Sequence, residues 1–221
     1  MLNGIQIFER KEPFTDGIKA LSGIPTSILG DVTGRVIGTN GILPVNRSAV
    51  TACGNALTVK VRSGDNLLLH RALRMLKLGD VLVVDGEGDI SRALFGEIMM
   101  TVAKKNGAIA AVLDAAIRDV EAFEDNQFPC WARGVNLRGP YKDGPGSINI
   151  PISIGGMVVN PGDIILGDSD GVVAIPPSLA LEVAHLGLAK AAQERVTIES
   201  IKNGSYDDSW VDTMLGQKGV S

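Results

Sequence analysis

The side chains of this 221-residue chain best suited to chemistry lie in two places: the tetrapeptide Gly96-Glu97-Ile98-Met99 and the dipeptide Arg118-Asp119. Their spacing, Glu-x20-Arg-Asp, accommodates one short helix followed by one buried strand. Residues 97–106 (EIMMTVAKKN) read as the helix, closed by Gly107 as its C′ glycine. Residues 108–113 (AIAAVL) are continuously apolar over a strand's length, which predicts a strand buried on both faces. Residues 114–119 then form a loop at that strand's C-terminal end. A helix followed by a strand returns the chain near its start, so Arg118 and Asp119 are expected to face the helix N-terminus at Gly96. There the first N–H groups lack intrahelical acceptors and suit a carboxylate or phosphate. Arginine adds a planar fork of donors for a carboxylate or carbonyl oxygen. Aspartate adds a hard oxygen ligand for Mg²⁺ or Mn²⁺. Neighbours in an extended loop point apart, so each of the two is expected to have its own partner. The plainer alternatives are a solvated ion pair at Arg118-Asp119 and a favourable first-turn charge at Glu97.

The elements that must position these groups alternate helix and strand. Residues 56–61 (ALTVKV) form a strand with Leu57, Val59 and Val61 on one face, Thr58 and Lys60 on the other. Residues 66–77 are helical by periodicity and end at Gly79, and residues 81–84 form a short buried strand. This rhythm predicts parallel pairing through crossovers. From Ile148 the pattern changes to short strands joined by Pro-Gly and Asp-Gly turns, which implies antiparallel or swivelled β structure. Residues 178–203 read as a long amphipathic helix, with Ser178 as N-cap and Gly204 as C′. The Gly/Pro-rich stretch 138–146 is a loop, and residues beyond Tyr206 are polar and peripheral. No linker divides the chain, so residues 1–221 are expected to form a single α/β domain with 205–221 as a tail.

Composition narrows the function classes. Apolar residues make up 45% and aromatics 4%, so the core is aliphatic. The net charge of −4 is spread without a basic stripe, which disfavours nucleic acid as a partner. No run approaches about 18 apolar residues, and the N-terminus has no signal-peptide pattern, so no membrane is expected and the location is cytoplasmic. Cys53 and Cys130 lack metal or redox spacing, in keeping with a reducing compartment. Residues 85–89 (DGEGD) lack a phosphate-loop pattern and their acids repel phosphate, so they read as a turn, ahead of the wall of a metal site. His70 and His185 have no zinc-type neighbours. Lys60, beside Arg62 on one strand face, reads as solvated and not as a Schiff-base lysine.

GEIMMTVAKKNGAIAAVLDAAIRDVEAF resembles the signature of the RraA-like proteins, which include the 4-hydroxy-4-methyl-2-oxoglutarate aldolases. GMVVNPGDIILGDSDGVVAIPP and, less specifically, PTSILGDVTGR around Asp31 extend the resemblance through most of the chain. It implies a swivelling-type β/β/α fold with a long C-terminal helix, assembled as a homotrimer or a dimer of trimers. It further implies a divalent-metal-dependent class II aldolase that cleaves 4-hydroxy-2-oxo acids to pyruvate, with oxaloacetate decarboxylation as a side activity. By the same resemblance Arg118 binds the keto acid and stabilises the enolate, and Asp119 holds the metal. Gly96, Glu97, Ile98 and Met99 present amides to the substrate carboxylate. Glu97, where the compared aldolases have aspartate, accepts a hydrogen bond from a metal-associated water or shuttles a proton. A glutamate from a neighbouring subunit's late helix approaches the metal waters, and Glu194, then Glu199, match it by position. The other function found in this family is that of a protein regulator which binds and inhibits an endoribonuclease.

Overall fold

The structure, a computed structural model, describes residues 4–220; the ends of the expected 1–221 domain lie outside the described residues. Along the chain run β1 (Ile5–Ile7), α1 (Thr15–Leu21), α2 (Thr26–Val32), β2 (Leu43–Pro44), β3 (Ala52–Val61), α3 (Leu67–Leu73) and β4 (Asp80–Asp85). The site-bearing centre follows as β5 (Ala93–Phe95), α4 (Glu97–Lys105), β6 (Ala108–Ile117), α5 (Val120–Asp125) and β7 (Cys130–Val135). Then come β8 (Gly146–Ile148), β9 (Ile152–Ile154), β10 (Met157–Val159), β11 (Ile164–Gly167), β12 (Val172–Ile175), α6 (Ala180–Lys202) and α7 (Trp210–Gln217).

The middle of the sheet is parallel, in the order β3-β4-β6-β7, as the helix–strand rhythm requires. Its strands are apolar on both sides because both faces are covered. On one face α3, α4 and α5 pack over Leu57, Val59, Leu82, Val84 and Leu113. On the other, Val81, Val83, Val112 and Trp131 meet the β9–β10 hairpin and residues of β11–β12. A third apolar cluster joins α1, α2 and the first half of α6 to the other side of the β11–β12 hairpin. Gly155 and Gly156, both at positive φ, supply the tight turn between β9 and β10 that branched residues would resist. The expected α/β architecture with a long C-terminal helix, and the change to antiparallel hairpins after Ile148, are both present.

Four boundaries differ from the sequence reading, each for a physical reason. The strand expected over 108–113 continues to Ile117, so only Arg118 and Asp119 of the expected loop lie beyond it. Asp114 remains inside the strand because its carboxylate bonds the Arg133 guanidinium and accepts the Gly155 N–H at 2.7 Å. The helix expected over 66–77 ends at Leu73: Met75 N–H turns back to the Ala72 carbonyl, and Lys77 N–H is taken by the buried Asp80 carboxylate. β3 begins at Ala52, since its small and polar leading residues pair with β11. Ser178 caps nothing; it lies in a 3₁₀ turn, Pro177–Leu179, that precedes α6. At the other end of α6, Gly204 has the left-handed φ of a C′ residue, as expected. Residues 204–220 are exposed throughout, but they are less polar than expected: α7 presents Trp210, Met214 and Leu215.

Candidate active site

The site forms at the carboxyl ends of two adjacent parallel strands. β5 takes the place beside the end of β6 that β4 vacates, aligning Ala93 with Ala116 and Phe95 with Ile117. β5-α4-β6 is therefore one crossover unit, and both strand ends open at the same edge of the sheet, where α/β folds hold ligands. Phe95 leads into Gly96 and α4, while Ile117 leads into Arg118, Asp119 and α5. The Arg118 N–H donates to the Phe95 carbonyl at 3.0 Å and joins the two exits.

Asp119 has φ 58° and ψ 44°, a left-handed conformation that Asp and Asn tolerate better than most residues. Its carboxylate thereby reaches the start of α4, where Oδ2 accepts the Glu97 N–H at 3.0 Å. The same oxygen lies 3.5 Å from Arg118 Nε. The expectation that Arg118 and Asp119 would point to separate partners is overturned. It assumed an extended loop, and the left-handed residue folds the pair together. Both side chains remain accessible, at 43% and 41% exposure, so water screens their attraction and the contact adds little stability. Gly96 has extended backbone that any residue adopts. Space demands glycine here, because a Cβ would lie 2.6 Å from Asp119 Oδ2 and 2.9 Å from Arg118 Cγ.

The first turn of α4 keeps donors in reserve. Asp119 takes the Glu97 N–H, whereas the N–H groups of Ile98 and Met99 have no acceptor among the described residues. The Glu97 side chain is likewise unpaired among the described residues, and it lines a hollow of about 530 Å³ with Arg47, Asp119, Glu121 and Asp125. A narrow hollow of about 40 Å³ penetrates between Asn66, Leu94, Gly96, Met99, Arg118 and Pro140. Among the described residues no three His, Cys, Asp or Glu side chains are placed to share a metal. What the site offers a hard cation is Asp119 with Glu97 nearby, a set that suits hydrated Mg²⁺, which usually takes one or two protein carboxylates.

Thus Gly96, Glu97, Ile98, Met99, Arg118 and Asp119 come together as expected. Within one chain Glu194 and Glu199 lie apart from them. They lie on α6, paired with Lys190 at 3.1 Å and Lys202 at 2.8 Å, and no α6 residue lines the hollows at Arg118 and Asp119. Sequence reasoning missed β5, too short at three residues to show periodicity. It also missed the wall that residues 136–141 and Asn66 build opposite α4.

The remaining candidates settle as structural features. Lys60 is not simply solvated: its Nζ lies 3.3 Å from the Asp85 carboxylate. Residues 85–89 are a turn, with Asp85 accepting the Glu87 N–H and Gly88 N–H bonding the Asp114 carbonyl. His70 and His185 lie on helices with accessible side chains, and partial burial of the His70 ring, then the charge of Lys142, lowers its pKa. Cys53 and Cys130 are both free thiols, each held protonated by burial that raises its pKa. A cavity of about 380 Å³ beside Cys53 lies at the opposite end of the strands, and its carboxylate, Asp168, is already bonded to Thr26. Among the described residues no helix is long and apolar enough to cross a membrane.

A profile of the aldolase/RraA family, described as RraA-like, matches residues 20–174. A protein of Halalkalibacterium halodurans, provisionally named a 4-hydroxy-4-methyl-2-oxoglutarate aldolase, is 38% identical over 189 residues, covering 85% of this chain and 90% of its own. A solved protein from Pseudomonas syringae, of no stated activity, superposes with a TM-score of 0.78 at 25% identity, covering 88% and 96% of the two chains. The RNA-processing inhibitor RraA from Thermus thermophilis gives a TM-score of 0.63 at 26% identity, covering 69% of this chain and 92% of its own.

Proposed function

The chain belongs to the aldolase/RraA family, and from that premise we propose that it is a carbon–carbon lyase, a class II pyruvate aldolase. Its substrates are 4-hydroxy-2-oxo acids of the 4-hydroxy-4-methyl-2-oxoglutarate type, and oxaloacetate is decarboxylated through the same enolate. One observation carries the reading: the unpaired amides of Ile98 and Met99 open beside Arg118, Asp119 and Glu97 at a single strand edge. A regulatory surface has no use for reserve donors gathered around a carboxylate and a guanidinium.

The Ile98 and Met99 amides hold the substrate carboxylate at the positive end of α4. Arg118, whose terminal nitrogens have no partner among the described residues, hydrogen-bonds the 2-oxo oxygen. As the C3–C4 bond breaks, its electron pair moves into the enolate and negative charge gathers on that oxygen, where a fixed donor is most effective. Glu97 takes the proton leaving the 4-hydroxyl oxygen and, through water, gives one back to C3 of the enolate, which yields pyruvate and restores the carboxylate. Asp119 would hold a divalent cation, Mg²⁺ or Mn²⁺, with Glu97 reaching it through water; when bound, the cation supplies Lewis-acid polarisation of the 2-oxo group. The acidic wall of Glu97, Glu121 and Asp125 favours a cation there.

We further propose a homotrimer or a dimer of trimers, in which the partner subunit's Glu194, or else the partner subunit's Glu199, completes the site. The exposed apolar residues Val196, Ile198 and Ile201 on the same helix support a covered position. No nucleic acid or membrane takes part, and the cytoplasm is the proposed location, where both thiols would stay reduced. The test is pyruvate release from 4-hydroxy-4-methyl-2-oxoglutarate and from oxaloacetate, in Mg²⁺ and in excess EDTA. Release that EDTA abolishes and Mg²⁺ restores is expected. Full activity in chelator, or borohydride trapping of an enzyme–pyruvate adduct, defeats the metal mechanism. No release from either substrate favours the second reading, supported by the likeness to an RNA-processing inhibitor, in which the protein binds and inhibits an endoribonuclease.

A further inference from the structure

Asn66 stands at the N-cap of α3, a position where asparagine ordinarily bonds the backbone of its own helix. Here it makes no capping bond: the neighbouring Asp65 carboxylate takes the Leu67 N–H at 2.9 Å, and the Asn66 Oδ1 accepts none of the first-turn N–H groups. The Asn66 side chain turns into the core instead. Its Nδ2 donates to the Leu94 carbonyl at 2.9 Å and reaches Met99 Sδ at 3.2 Å. Leu94 and Met99 flank the Gly96–Ile98 segment, one within β5 and the other in the first turn of α4. Through its backbone N–H, Asn66 also bonds the Tyr141 carbonyl at 3.0 Å. Tyr141 closes the wall whose Gly139 lies against the Arg118 guanidinium, since a Cβ at Gly139 would be 3.6 Å from Nη1. One residue thus ties three sides of the narrow hollow together. It does so while 3% exposed and with its Oδ1 buried and without a hydrogen-bond partner. A buried unpaired acceptor is destabilising. Rotating the amide would not relieve it, because oxygen would then face the Leu94 oxygen.

We propose that Asn66 is a positioning residue for keto-acid recognition: it fixes the direction of the Ile98 and Met99 amides and the separation between them and Arg118. This rests on the aldolase reading and adds a residue that the resemblance does not name. A leucine or methionine here would be larger and would leave the buried Leu94 carbonyl without its donor, so the amide serves the bond that ties β5 to this wall at the cost of its own unpaired oxygen.

The test uses Asn66→Asp, which keeps the shape but replaces the donor to Leu94 with a charged oxygen, and Asn66→Ser, which is neutral and smaller. Pyruvate binding in the presence of Mg²⁺ is measured by calorimetry, Mn²⁺ binding is titrated alone, and kcat and KM are measured for 4-hydroxy-4-methyl-2-oxoglutarate. Both variants should bind pyruvate about 10-fold more weakly or worse, because small displacements of positioning groups have effects of that order. KM should rise in step, while Mn²⁺ affinity and a cooperative thermal transition persist. Folded variants with wild-type pyruvate affinity would overturn the inference, and so would failure of both variants to fold, which would make Asn66 purely structural. If one alone folds, its pyruvate affinity decides. Wild-type protein that does not bind pyruvate at all would overturn the aldolase reading and this inference with it; wild-type binding matched by the variants removes only this inference.

Discussion

Gly96→Ala isolates the close approach on which the site depends. The backbone at this residue, φ −161° and ψ −168°, accepts alanine without strain, so the consequence lies in the added methyl group alone. Its carbon would start 2.6 Å from Asp119 Oδ2 and 2.9 Å from Arg118 Cγ, where comfortable contacts begin near ~3.5 Å. Asp119 must retreat by roughly 1 Å, and its 3.0 Å bond from the Glu97 N–H then stretches beyond hydrogen-bonding range. Such a bond to a charged group contributes about 1.5–3 kcal/mol when shielded. At 41% exposure water replaces much of it, leaving a loss of about 1 kcal/mol or less. In a chain of this size that lowers Tm by about 2–4 °C. Catalysis is more sensitive, since a displacement of about 1 Å among reacting groups can reduce rate on the order of 10²-fold. Pyruvate release at saturating Mg²⁺, with calorimetric melting of the same samples, reads both effects. A variant with wild-type rate refutes the reasoning. A collapse of Tm far beyond that range would show that Gly96 serves packing and not positioning.

Arg118→Lys keeps the charge but loses the planar fork, so kcat should fall on the order of 10²-fold with the metal requirement intact. Asp119→Asn retains a residue type tolerant of left-handed backbone, so it should stay folded and lose metal affinity, with rate partly restored by raised Mg²⁺. Near-wild-type rates in both variants defeat these assignments. If the partner subunit's Glu194 completes the site, Glu194→Gln should lower activity in an intact oligomer and a dissociated monomer should be inactive; an active monomer seen by sedimentation during assay rejects a shared site. Asp65 links stability to pH. Burial pushes its pKa up, but bonds from the Asp143, Leu67 and Gly144 N–H groups and the charge of Arg62 outweigh this, so the folded value lies below the unfolded one. Its contribution is therefore full above the unfolded value of about 3.9 and is lost as pH falls through the lower folded value. The Tm gap between wild type and Asp65→Asn should be constant from neutral pH to about pH 5 and narrow below about pH 4; a gap that widens in acid contradicts this.

Much of the positioning scaffold was legible in local pattern. The apolar run 108–113 predicts a buried strand, and Gly107 and Gly204 mark helix ends because left-handed backbone is cheap for glycine. The Glu-x20-Arg-Asp spacing places Arg118 near Gly96, since one helix and one strand return the chain to the same sheet edge. Tertiary structure alone decided the rest. Asp114 reads as the end of a strand until Arg133 and Gly155, distant in sequence, satisfy its carboxylate inside one. The left-handed turn that folds Asp119 onto Arg118 and caps α4 leaves no periodic trace, because a single dihedral sets it. Asn66 reads as the first residue of a helix until folding turns its amide inward to the carbonyl of Leu94, distant in sequence. Sequence determined the longer central strands and helices, where burial repeats along the chain, but not elements as short as β5, which leave no such repeat. Which polar groups meet was decided by hydrogen bonds between residues that only folding brings within reach.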